Sequence, residues 1–174
     1  MKKIKKYTIG MGDRFAHQGK AQLQAVIEGS QAGIEIYPTW NKSFREHSIV
    51  GSQPADLRSE ADAAVRELGW DRDYYVDADH IGLKTVDSFI SGSDFYTLDV
   101  ADFVGAAPDP TAVDAFVETN RPYIGKLRIP GIETPFDLTE EHLREVADKF
   151  LAAIQNARSI YQHISAAKGE DGFI

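Results

Sequence analysis

The chain has 174 residues, enough for one domain with its own hydrophobic core. Apolar residues make up 43% and charged residues 26%, which sets disorder aside, and the net charge of -8 argues against nucleic acid, whose phosphates call for clustered Lys and Arg. There are no cysteines, so disulfides and thiolate metal sites are excluded and any metal must use His, Asp and Glu.

The basic start, Met1 to Lys6, has no apolar run behind it and does not read as a signal peptide. No apolar stretch approaches the ~20 residues that cross a bilayer, so a cytoplasmic protein is expected. Tyr7 to Met11 reads as a strand, and Gly19 to Glu28 as a helix with Leu23, Val26 and Ile27 on one face. Gly33 to Tyr37 reads as a second strand. Ser52 is placed to cap a helix from Gln53 to Leu68, with Pro54 in its first turn and Gly69 at its end. Tyr74 to Asp79 is a third strand, Leu83 to Ile90 a short helix, and Phe95 to Val100 a fourth strand. Asp109 to Asn120 looks helical and Tyr123 to Ile129 extended. Thr139 then caps a long helix whose apolar residues, from Leu143 to Ile164, recur at helical spacing up to Gly169.

Strands alternating with helices imply βαβ units and a parallel sheet within a single α/β domain over residues 1–174. Two architectures compete, an open doubly wound sheet and a (β/α) barrel. A barrel usually takes ~250 residues, so this chain would supply about half of one. The stop at Gly172-Phe173-Ile174, where another strand could begin, hints at an incomplete barrel.

In such folds chemistry gathers where strands end. The loop from Gly10 to Lys20 carries Asp13, Arg14, His17 and Gln18. Its two glycines resemble the start of a dinucleotide fingerprint, but Phe15 stands where the third glycine belongs. Pro38 to Ser48 reads as a loop in which Lys42 and Arg45 can hold an anionic sugar acid, with Trp40 either on a sugar face or in the core. In Tyr74 to His80, alternation puts Val76 and Ala78 on one face and Asp77 and Asp79 on the other. Two inward carboxylates repel unless a metal, a proton or a cation joins them. Asp79 and His80 suit a divalent ion, and Lys84 follows closely. Asp99 falls at the equivalent rim position of the fourth strand, with Asp102 as a cap or loop residue. His142 and His163 read as surface residues of the long helix. No Ser-His-Asp order, Gly-x-Ser-x-Gly elbow or P-loop occurs.

Gly10 to Gln22, Trp40-Asn41-Lys42-Ser43 with Arg45-Glu46-His47, Val76 to Ile81 with Leu83 to Asp87, and Ser93 to Asp102 together resemble the tagaturonate epimerase family. The resemblance covers nearly the whole chain. It implies a TIM-barrel-like fold and an isomerase of hexuronate catabolism that interconverts D-tagaturonate and D-fructuronate with a divalent ion (Mn, Zn, Ni or Mg). Family members are much longer, so part of the barrel and some metal ligands are expected beyond Ile174, and a homo-oligomer or a pairing of half-barrels is conceivable. The stereocentre lies β to the ketone, where retro-aldol cleavage and re-addition, or a transient oxidation, reaches it and simple enolisation does not. The retro-aldol route needs a base, an acid and a cation. Asp77, Asp99 and Asp13 are the catalytic candidates. His17, Gln18, Lys42, Arg45 and Lys84 are the substrate-binding candidates, and His80 with Asp79 the metal candidates. The alternatives are another barrel sugar isomerase or aldolase, and a non-catalytic sugar-acid binding module.

Overall fold

The computed structural model describes residues 3–15 and 17–174; Met1 and Lys2 of the basic start, and Ala16 of the first polar loop, lie outside them. The chain groups into two compact units, Met1–Asp99 with Ile160–Ile174, and Val100–Ser159.

The first unit is built on four parallel strands in sequential order: β1 (Thr8–Gly12), β2 (Tyr37–Ser43), β3 (Tyr75–Ile81) and β4 (Phe95–Leu98). Between them run α1 (Gly19–Gln31), α2 (Phe44–Val50) and α3 (Pro54–Leu68). Leu57, Ala61 and Ala64 recur at helical spacing on α3 and pack, with Leu23 and Val26 of α1, against Trp40 of β2 and Val76 of β3. Trp40 is fully buried, and its indole N–H donates to the Gln22 side chain at 3.0 Å. Pro54 opens α3, and Gly69 closes it with φ of 64°, a left-handed value that costs glycine little.

The expected second strand is displaced. Only Tyr37 of Gly33 to Tyr37 is in β2, which continues through residues anticipated as a polar loop. Pro38 does not stop it, because it pairs with Ile9 of β1 and its nitrogen lies on the β3 side, where pairing begins only at Thr39. The rest of that expected loop is α2, which begins with a capping box: the Ser43 side chain accepts from the Glu46 N–H, and the Ser43 N–H donates to the Glu46 carboxylate. Gln53, not Ser52, is the residue before α3, and its N–H donates to Asp56 at 2.7 Å. The helix expected over Leu83 to Ile90 shrinks to a 3-10 turn at Val86–Ser88. Ile174 hydrogen-bonds to both Asp94 and Tyr96 in the manner of a parallel strand on β4, with Phe173 edge-on to Tyr96 at 5.8 Å.

The second unit contains α4 (Pro110–Asn120), an antiparallel pair β5 (Gly125–Leu127) and β6 (Phe136–Leu138), and the larger part of α5 (Glu140–Lys168). Asp109 caps α4 by accepting from Thr111 N–H at 2.8 Å and from Ala112 N–H at 3.3 Å. Val113 and Val117 pack with Leu143 and Ala147. Among the described residues no helix is long and apolar enough to cross a membrane.

Candidate functional site

Register places a band of polar side chains on one face of the sheet. Gly12 pairs with Asn41, Asn41 with Asp77, and Ser43 with Asp79. The two glycines of the apparent dinucleotide motif serve this face: a Cβ at Gly12 would lie 3.2 Å from the Asn41 side chain, and one at Gly10 would lie 3.4 Å from it. On the opposite face Trp40, Val76 and Ala78 are buried. The alternation expected of Asp77 and Asp79 against Val76 and Ala78 follows from the strand pleat.

The two aspartates have different hydrogen-bond partners. Asp77 is 5% exposed and accepts from the Thr97 N–H at 3.1 Å and its hydroxyl at 2.8 Å. Burial pushes its carboxyl up to about 6 against the pull of the two Thr97 bonds, with the charge of Asp79 adding to the rise. Asp79 instead meets Nδ1 of His80 at 2.7 Å. That hydrogen bond and the Asp79 charge raise the His80 pKa. The ladder between β3 and β4 is irregular between Ala78 and Ile81, and His80 there has φ of 53°. An extra residue at this point turns the imidazole off the strand and out to solvent.

Asp79, His80 and Asp99 line a cleft of about 530 Å³ with Arg14, Arg45 and Glu46, and with Ser43 and Ile49 beside them. Arg14 is 3.4 Å from Glu46, whereas Arg45 has no ion-pair partner among the described residues. Of the residues singled out from the sequence, the structure therefore brings Asp79, His80, Asp99 and Arg45 to one cleft. Asp77 lies beneath, on the same strand face as Asp79. Asp13 is buried and accepts from the N–H groups of Phe15, His17 and Gln18, the last a very close contact. It organises the turn into α1. His17 and Gln18 are exposed on that turn, and Lys84 is exposed on the turn after β3. Lys42 shares the Trp40 face of β2, away from the cleft, and is 1% exposed.

Ser43, Glu46 and Ile49 are cleft residues that sequence reasoning did not single out, and Arg14, named only as part of its loop, joins them through Glu46. The Ser43-x-x-Glu46 spacing was the available signal, since a capping box places residues 45, 46 and 49 on a helix starting at the end of β2. Among the described residues no three of His, Asp and Glu converge as a metal-holding cluster. Asp79 and His80 make one imidazole with an orienting carboxylate, an arrangement typical of a single metal ligand and its support. A second cleft, of about 490 Å³, lies within the other unit; its Arg144 is paired with Asp114 and Glu140.

Comparison with known proteins bears on this arrangement. The native crystal structure of fructuronate-tagaturonate epimerase UxaE from Cohnella laeviribosi aligns with a TM-score of 0.69 and 24% identity, covering 90% of this chain and 34% of that one. The structure of the same epimerase complexed with two glycerols gives 0.70 and 22% over the same shares. The chain thus spans about a third of the length of the solved chains it matches, and the likeness shows a common α/β fold over that part, consistent with a half-barrel. No curated protein matches. A family model described as tagaturonate epimerase matches residues 1–172, so the chain belongs to the tagaturonate epimerase family.

Proposed function

We propose that the cleft at the ends of β1 to β4 is one wall of a site that binds a hexuronate and interconverts D-tagaturonate and D-fructuronate in the cytoplasm. The observation that carries this reading is the meeting of Arg45, which has no ion-pair partner among the described residues, with Asp79, His80 and Asp99 in one polar cleft of a chain of this family. Arg45 offers a planar fork of donors that suits the sugar-acid carboxylate.

A divalent ion, when bound, supplies Lewis-acid stabilisation of negative charge developing on the substrate oxygen. His80, with Asp79 on its Nδ1, would offer Nε2 as one ligand; the described residues alone do not complete a coordination set. The chain's own residues have separate tasks. Asp77 holds or releases a proton near neutral pH because its carboxyl is pushed up to about 6. Asp99 is the second candidate for acid–base work at the rim. In the retro-aldol route a base takes the proton of the hydroxyl β to the ketone. The bond between the α and β carbons breaks, leaving an enediolate and an aldehyde. Re-addition to the other aldehyde face and return of the proton complete the inversion.

The test is to incubate the protein with D-tagaturonate, after chelation and again with Mn²⁺, Zn²⁺, Ni²⁺ or Mg²⁺ restored. D-Fructuronate is expected only when a metal is present. No conversion with any of the four ions overturns the catalytic reading.

A further inference from the structure

On the side of α2 away from the cleft, three polar side chains meet. Lys42 Nζ donates to Ser52 Oγ at 2.8 Å. That oxygen lies 2.9 Å from Nδ1 of His47, which is 2% exposed and packs edge-on against Phe89 at 5.8 Å. The Ser52 N–H also donates to the His47 carbonyl at 3.0 Å, so the residue joining α2 to α3 is tied to α2 twice. Burial, reinforced by the Lys42 charge, holds His47 down at about 4. Its other charged neighbours are Glu46 of α2 and Asp56 of α3. The Ser52 oxygen accepts from Lys42 and shares a second hydrogen bond with His47 Nδ1.

A buried ammonium is a costly way to fill space, and burial lowers the Lys42 pKa accordingly. What it holds is informative. α2 has seven residues, too few to be stable alone, so its place depends on contacts. Arg45, Glu46 and Ile49 face the cleft from it, and His47 sits about 200° round the helix from Arg45.

We propose that Lys42, Ser52 and His47 form a positioning relay that anchors α2 to the end of β2 and so sets Arg45 and Glu46 at the cleft. Lys42 acts through α2 and does not touch the sugar acid. The identity of the ligand rests on the epimerase reading above; the relay itself does not.

The test compares the wild type with Lys42→Met, Ser52→Ala and Ser52→Thr, using hydrogen exchange of the amides of residues 48–52 and the kinetics with D-tagaturonate. Lys42→Met and Ser52→Ala are expected to speed exchange there about tenfold, the loss expected for one or two such bonds, with α1 unchanged. They are expected to raise KM about tenfold with kcat within about twofold, because uniform binding is lost. Ser52→Thr keeps the hydroxyl and should restore both. Unchanged exchange overturns the relay, as does a collapse of kcat with KM and exchange unaltered, which would make Lys42 a direct substrate contact. If Lys42→Met does not fold, the Ser52 pair decides. If the wild type does not convert D-tagaturonate, the epimerase reading fails and the exchange measurements alone judge the relay.

Discussion

Asp77 joins the chemistry of the site to the stability of the fold. Its carboxyl is raised from 3.8 to about 6, chiefly by burial. Between those values the folded chain holds a proton that the unfolded chain has released. Stability therefore falls as pH rises through that window and stays reduced above it. Asp77→Asn removes the buried charge while its amide still answers both Thr97 bonds. It should gain about 1–2 kcal/mol at pH 7 and flatten the slope of stability against pH from 4 to 6, read from urea midpoints across that range. Under the proposed function the same variant should lose conversion of D-tagaturonate by about 100-fold or more, since its proton-transfer group is gone. A stable variant with full activity would move the base to another residue.

At the scale of elements, caps matter more than propensity. Asp109 accepts from two N–H groups at the start of α4, and Asp109→Ala should cost about 1 kcal/mol, seen as a lower thermal midpoint. An unchanged midpoint would mean that water replaces the cap fully. Where such signals are local, the sequence was legible: α1, α3, α4 and α5, and the positions of β1, β3 and β4, lie within a few residues of expectation. β2 was not, because Ile34 and Glu35 alternate convincingly in isolation while Trp40, Asn41 and Lys42 look like a polar loop. Pairing with β1 and β3 decides that register. The short pair β5 and β6 was half missed for the same reason: three residues a side carry too little pattern to stand out.

The whole molecule carries a net charge of -8, and its self-repulsion opposes the compact state. Raising NaCl from roughly 10 mM to roughly 150 mM should raise the thermal midpoint by about a degree or two, as the Debye length shrinks to about 8 Å. A falling midpoint would show that attractive pairs such as Arg144 with Asp114 and Lys5 with Asp73 outweigh that repulsion. By itself, the sequence determined the alternation of strands and helices, the face on which Asp77 and Asp79 lie, and the family, because periodicity and long distinctive strings are local information. Tertiary structure decided which charges meet. It turned Lys42 away from the cleft into the Ser52 and His47 cluster, tied Asp13 into a turn, gave Asp77 to Thr97 and Asp79 to His80, paired Arg14 with Glu46, and set Arg45 in the same cleft. Those choices depend on strand register and burial, which arise only when residues far apart in the chain are packed side by side.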